Sequence, residues 1–258
     1  MTPADVIRAS NAWVYVPEGS PTLETADYLL VRFPDHFANA LELVRFTPTR
    51  PMPELVEEVL TRARQFGLPS LVWRVRLDSP PGIEDLLREV GTLDETLDVL
   101  ALDLTGDLPD LGSSPAELRW ATDPSTARDA LMIGVEVFGG ALPPPDEVYR
   151  SAARDAVGLP VGRGGSLVAY LDGRPVGTGG LSSRGPAAGL WGGAVLEGYR
   201  GQGIYRALLA ARLEYAAEHY MTMALVKGRV ETSGPILRRA GFGAYGQERS
   251  YRVPLVPL

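Results

Sequence analysis

The residues with the clearest chemical use form one short run, Arg200-Gly201-Gln202-Gly203-Ile204-Tyr205. It follows an apolar stretch, Gly189 to Leu196, and opens a segment with Ile204, Leu208, Ala211 and Tyr215 at helical spacing. A turn of this kind is an anion cradle. The first turn of a helix presents unpaired N–H groups and about half a positive charge, and glycines let a phosphate approach the backbone closely. An ordinary glycine-rich strand-to-helix turn has the same six residues. A P-loop is excluded because no Lys-Ser/Thr follows Gly203, and a dinucleotide fingerprint because the third glycine and the later acid are missing.

Other chemistry is scarce. The 258 residues include no cysteine and only two histidines, His36 and His219, which excludes thiolate nucleophiles, disulfides, iron–sulfur clusters and Cys- or His-rich metal centres. A composition 45% apolar and 22% charged is that of a soluble globular chain. No apolar run approaches ~18 residues, so no membrane span is expected. The start, Met1-Thr2-Pro3-Ala4-Asp5, lacks a signal-peptide layout, and the expectation is cytoplasmic. Charge is uneven. Residues 1–114 carry 9 basic and 19 acidic groups and residues 115–258 carry 16 and 13, so nucleic acid is not an expected partner, while the C-terminal half suits a small polyanion.

The elements that must position the cradle fall into two series. The stretch 105–115, rich in Pro, Gly, Ser and Asp, reads as a linker between domains 1–104 and 116–258. After it come a strand at 118–121, helices at 126–138 and about 145–157, and a glycine-rich loop at 158–165. A hairpin turns at Asp172-Gly173, and the strand, cradle and helix follow. A strand at 223–230, a short helix at 233–240 ending in Gly241-Phe242 and a strand at 248–253 close the chain. The first half has strand 41–46, helix 54–66, strand 71–77, helix 83–90 and strand 97–104, each falling near a C-terminal counterpart at an offset of about 150. Five elements in order favour a duplication over a chance match of two ordinary layouts.

The Tyr-Arg-Gly-x-Gly-Ile turn in this context, with the short helix and Gly241-Phe242, resembles the GNAT superfamily of acyl-CoA-dependent N-acyltransferases over about residues 116–255. The resemblance implies an α/β (α+β) fold of two GNAT-like lobes, each a mixed β-sheet flanked by helices, the first degenerate. It implies acetyl-CoA as co-substrate, with no metal. The backbone of Arg200, Gly201, Gln202, Gly203, Ile204, Tyr205 and Arg206 would hold the pyrophosphate, and the strand at Gly193, Ala194 and Val195 would pair with the pantetheine arm and hold the thioester carbonyl. Three positions depart from the family pattern. Tyr205 stands where a Gly or Ala is usual, Leu237 where many members carry a tyrosine acid, and Val230 where an asparagine is common.

At an offset of 150, Pro51 and Pro53 replace Gly201 and Gly203. Each removes an N–H donor, a loss of roughly 3–6 kcal/mol for two charge-assisted bonds, so the first copy is expected to be a scaffold. Glu231 is the leading candidate base and Glu197 the second, and each reads equally as a solvated surface acid. Tyr245 and Tyr251 read as packing tyrosines or acids, and Trp191 as core or pocket wall. Lys227 reads as a surface charge and His219 as a helix cap, while His36 is uninformative. The expected activity is acetyl transfer to a small amine, with a cationic one suited to the acidic half. Alternatives are an acyl-CoA-binding module without turnover and an aminoacyl-tRNA-dependent transferase.

Overall fold

The computed structural model describes residues 1–255. They form seven α-helices and eleven strands, grouped into two compact units that interleave along the chain. One unit comprises Pro3–Val99, Gly228–Pro235 and the chain from Tyr245 on; the other comprises Met1–Thr2, Leu100–Lys227 and Ile236–Ala244. The N-terminal unit and the C-terminal unit are used below as their names.

The N-terminal unit begins with α1 (Pro3–Ala12), β1 (Thr22–Glu24) and β2 (Tyr28–Arg32), three elements beyond those expected from the sequence. There follow β3 (Leu41–Phe46), α2 (Met52–Arg64), β4 (Ser70–Val75), α3 (Ile83–Val90) and β5 (Thr92–Asp103). β1–β2 and β2–β3 are antiparallel, and β3–β4 is parallel as the α2 crossover requires. Its core is closed by α2, whose Leu55, Val56, Val59, Leu60 and Ala63 all face inward, and by Trp73, fully buried edge-on to Phe46 at 5.0 Å.

The C-terminal unit has β6 (Glu117–Trp120), α4 (Pro124–Phe138), α5 (Pro145–Gly158), β7 (Gly164–Leu171), β8 (Arg174–Arg184), β9 (Ala187–Val195), α6 (Ile204–Glu218), β10 (Met223–Arg229) and α7 (Ser233–Arg239); β10 and α7 run partly into the other unit. The glycine-rich stretch expected as a loop is shorter than 158–165: a 3-10 turn occupies Leu159–Val161 and β7 starts at Gly164. β6 to β9 are successively antiparallel, and β9–β10 is parallel. Asp123 caps α4, its carboxylate accepting the Ser125 and Thr126 N–H groups at 2.9 and 3.0 Å.

The strand that ends each series does not stay with it. β11 (Gly243–Pro254), the last strand of the second series, pairs antiparallel with β4 of the first, Arg249 opposite Val75 and Pro254 opposite Ser70. β5, which ends the first series, borders β10, and beyond it the Leu104 N–H donates to the Thr222 carbonyl at 3.0 Å. The grouping therefore departs from the simple succession 1–104 and 116–258: Leu100–Asp103 goes with the C-terminal unit and the chain from Tyr245 with the N-terminal one.

The two series share the order strand, helix, strand, helix, strand, with a difference in spacing inside them. In the parallel pairs, Leu43 opposes Trp73 and Leu190 opposes Val226. From Leu43 to the start of α2 is nine positions, and from Leu190 to the start of α6 is fourteen. The second copy thus carries five more residues between its paired strand and its helix. Aligning the helix starts gives an offset of 152, so Pro51 matches Gly203 and Pro53 matches Tyr205, correcting the pairing read at 150.

Candidate functional site

Pairing of β9 with β10 runs from Ala187–Met223 to Leu190–Val226 and stops there. β9 continues to Val195, held on its other edge by β8, where Ala194 opposes Thr178 and Val195 opposes Gly177. Between Trp191 and Ala194 the register slips, and Gly192 has φ +61, a bulge that turns the strand. Buried Ala188–Leu190 gives way to exposed Trp191 and Gly192, so the strand opens where pairing ends. The Trp191 ring lies over Gly180 of β8 and is 42% exposed, so it is not core.

After β9 the chain makes a 3-10 turn, Glu197–Tyr199, and Arg200 folds back, its Nε donating to the Val195 carbonyl at 3.2 Å. Gly201 and Gly203 have φ +79 and +78, which a residue with a Cβ adopts only under strain. Gly203 caps α6 with no side chain over the helix end, and the first helical bond is Ala207 N–H to Gly203 C=O at 3.0 Å. Among the described residues no main-chain acceptor meets the N–H groups of Gly201 to Arg206. A Cβ at Gly201 would meet nothing within 4 Å, so the turn is open. Gly201, Gln202 and Arg206 are exposed, Ile204 is buried, and Tyr205 turns inward. The arrangement fits a phosphate group: a row of donors without acceptors, at a helix N-terminus, with no carboxylate filling it.

The N-terminal unit shows the same place filled. There Asp27, nearly buried, accepts the Thr49 N–H at 2.6 Å, the Thr49 hydroxyl at 2.7 Å and Arg50 Nε at 3.1 Å, just before Pro51 and Pro53. Those bonds, the Thr49 hydroxyl foremost, hold the Asp27 carboxyl below its usual pKa. Arg50 also pairs with Glu58 at 3.0 Å. The opening between β3 and β4 is closed as well: Arg76 donates to the Val44 carbonyl at 3.1 Å and to the Ser10 and Asn11 carbonyls at 2.5 Å each. A separate concavity of about 760 Å³ in this unit is lined by Arg76, Glu84, Arg88 and Arg249, but Glu84 already pairs with Arg88, Arg249 and the Tyr251 hydroxyl.

The remaining sequence candidates divide. Glu231 is exposed, follows β10 and groups with the N-terminal unit; Glu197 is exposed in the 3-10 turn before the cradle. Tyr251 is 1% exposed and donates to Glu84 at 2.9 Å in the N-terminal unit, a packing role. Leu237 lies wholly in the core with Leu209, Leu213 and Phe242. His219 closes α6, its Nδ1 2.9 Å from the Tyr215 carbonyl oxygen, and His36 stacks on Phe37. Among the described residues no group of three or more His, Asp or Glu could hold a metal ion, and no helix is long and apolar enough to cross a membrane. Asp27, Arg76 and Arg212 escaped the sequence reading. For Arg212 a signal existed: a charge among Leu208, Leu209 and Leu213, inside an apolar helix face.

Residues 138–233 match the model of the Acetyltransferase (GNAT) family. No curated protein matches. Among solved structures, a GCN5-related N-acetyltransferase from Kribbella flavida is 15% identical with a TM-score of 0.68, covering 98% of this chain and 96% of its own. A second, from Sphaerobacter thermophilus, is 18% identical at a TM-score of 0.65, covering 100% and 95%. A tandem GNAT protein from the clavulanic acid biosynthesis pathway is 18% identical at 0.61, covering 96% and 87%. At such identity the likeness is one of fold: a mixed α/β architecture of the GNAT kind. The family transfers acyl groups from acyl-CoA.

The plug in the N-terminal unit has a pH signature. A carboxyl depressed in the folded state stabilises at pH above its unfolded value of about 3.9, and that stability is lost as pH falls through the lower folded value. Asp27→Asn should therefore lower the melting temperature by a few degrees at pH 6, with the gap to wild type closing as the pH falls below the ordinary carboxylate range. A gap that persists unchanged at low pH would contradict the charged role of Asp27.

Proposed function

We propose that this protein is an N-acetyltransferase that moves an acetyl group from acetyl-CoA to a small amine by direct transfer, working in the cytoplasm as a tandem GNAT with one coenzyme site. The single observation that carries the reading is the open row of main-chain donors from Gly201 to Arg206 beside the unpaired end of β9. Arg200, Gly201, Gln202, Gly203, Ile204, Tyr205 and Arg206 would bind the pyrophosphate, and Gly193, Ala194 and Val195 would receive the pantetheine arm as an added strand. The plugged first copy supports one site rather than two. A carboxylate, Asp27, already takes the Thr49 N–H in the turn before its helix, and an arginine takes a carbonyl at its strand opening.

The amine must reach the thioester without its extra proton. For a lysine-like amine of pKa ~10.4 that costs about 4.6 kcal/mol at pH 7. With no cysteine to hold an acetyl group, both substrates are bound together and the amine nitrogen attacks the thioester carbon itself.

Calorimetry should find one acetyl-CoA per chain. Gly203→Pro, which removes a donor and forces φ negative, should weaken it at least ~100-fold, while Pro51→Gly leaves it within about twofold. Two equivalent sites, or full affinity in Gly203→Pro, would sink the single-site reading. Initial-rate plots against the two substrates should intersect, and an isolable acetyl-enzyme with parallel plots would rule out direct transfer. The acidic first half leads to a third expectation, for the acceptor: cationic amines are preferred, and their KM rises with salt. A preference for anionic acceptors would leave those nineteen acids only their role in solubility.

A further inference from the structure

Trp191 is a large apolar side chain left open inside a strand: it is 42% exposed, while Leu190 beside it is 1% exposed. It opposes Gly180 in the β8–β9 ladder. A Cβ on Gly180 would stand 2.2 Å from the indole Cζ2 and 2.3 Å from both Cε2 and Cη2. Nearly equal distances to three consecutive ring atoms mean that the indole lies flat across the glycine. One face of the ring is spent on the sheet, and the rest of its surface is free. Gly192 follows it with nothing within 4 Å of a Cβ placed there, so the space beside the ring is empty of protein.

The indole is on the face of the sheet that a second substrate can reach. Cβ atoms at Gly177 and Gly179 would run into Ile204, Leu208 and Arg212, so those positions look toward α6. Side chains alternate along a strand, which puts Gly180 and the ring above it on the other face. There α4 packs, its Ala130 and Ile133 against Val168, Tyr170 and Ala194. On the α6 side the sheet is filled, since Ile204, Leu208 and Arg212 are all buried. Trp191 is also the first residue of β9 beyond its pairing with β10. With phosphates held after Val195, an arm laid along the five unpaired residues, roughly 16 Å of strand, has its thioester end toward Trp191.

Charge decides what the free ring can hold. Beneath the same residues lies Arg212, 2% exposed, donating only to the carbonyls of Leu208 at 2.8 Å, Gly180 at 3.2 Å and Trp191 at 3.5 Å. No carboxylate pairs with it among the described residues. A cation laid over the indole would meet that uncompensated positive charge, whereas a neutral flat ring gains the stacking without the repulsion.

We infer that the acceptor is an arylalkylamine, its aromatic ring stacked on Trp191 and its amine on a short chain reaching the thioester. This deepens the acyltransferase reading and rests on it. Such an amine is a cation in water, in keeping with the acidic first half, and sheds its proton before attack.

The test uses the full chain, acetyl-CoA and release of free thiol, with phenethylamine, cyclohexylethylamine and butylamine as acceptors. Wild type should prefer phenethylamine to its saturated, non-planar counterpart by about 3- to 10-fold in kcat/KM. Trp191→Ala should raise the KM for phenethylamine about 10-fold with kcat within about threefold, and erase the preference for the planar ring. Trp191→Phe should keep part of it. A merely structural loss would scale all three amines together. A second readout needs no turnover, because the other tryptophans, Trp13, Trp73 and Trp120, are buried or half-buried. With coenzyme A bound, phenethylamine should shift tryptophan emission to shorter wavelength in wild type and not in Trp191→Phe. A wild type without ring preference or emission shift, or a preference that survives Trp191→Ala, overturns the inference while acetyl-CoA binding keeps the acyltransferase reading in place. A wild type that binds acetyl-CoA nowhere and releases no thiol overturns both.

Discussion

The parting of β9 from β10 after Leu190 and Val226 is the constraint on which the site depends. Two parallel strands joined by a helix normally share hydrogen bonds along their length, and leaving five residues of β9 unpaired on one edge exposes main-chain donors and acceptors. The protein compensates on the other edge, where β8 holds Ala194 and Val195, and from beneath, where Ile204 and Leu208 pack the strand from α6. The bulge at Gly192 absorbs the turn. The unpaired edge can then be completed by something extended and peptide-like, and the helix start just beyond it by something negatively charged. A pantetheine arm ending in a pyrophosphate has both properties in that order.

The first copy shows what the same scaffold becomes when those demands are met from within. Five residues fewer lie between the paired strand and its helix, with no 3-10 turn among them, while β3, like β9, bulges against its antiparallel neighbour, at Val44, and leaves its parallel partner, after Leu43. Arg76 spans from the end of β4 to the Val44 carbonyl, and Asp27 takes the Thr49 N–H in the turn three residues before α2. Prolines at 51 and 53 then cost nothing, because the donors they delete have no ligand left to bind. The pattern is coherent: each feature the second copy leaves open is, in the first, answered by a side chain. Binding and scaffolding differ here by who provides the complement, not by fold.

Much of this was legible in the sequence. The 3.6-residue period of α6 and the Asp172-Gly173 hairpin are local signals, and β6, α4 and α5 fall within a few residues of their expected limits. The cradle was legible for the same reason, since Gly201 and Gly203 act through their own backbone. The plugs were not. Asp27 and Thr49 are 22 positions apart, and Arg76 and Ser10 are 66 apart, and nothing in a charged residue's type announces which distant backbone group it meets. The exchange of β5 and β11 was invisible as well, because a strand's hydrophobic pattern fixes its faces and not its neighbour. The constant offset of 150 misled for a related reason. A five-residue difference lies within a turn, where no periodicity marks it.

Arg212 is a buried charge whose place the sequence marks only by its setting among leucines. A leucine there would pack against Gly179 at lower cost, since replacing buried charge by apolar volume is often neutral or stabilising. Its cost is already reduced by three carbonyls, one of them that of Trp191 at the point where β9 leaves its partner. A donor on that carbonyl polarises the peptide it belongs to and strengthens the N–H on the peptide's far side, that of Gly192. With one cation under the sheet and an unpaired backbone edge above it, the C-terminal unit is arranged to welcome negative charge at two points, the helix start and the strand's bend. A thioester bound across both would place its phosphates at the first and its reacting carbonyl at the second.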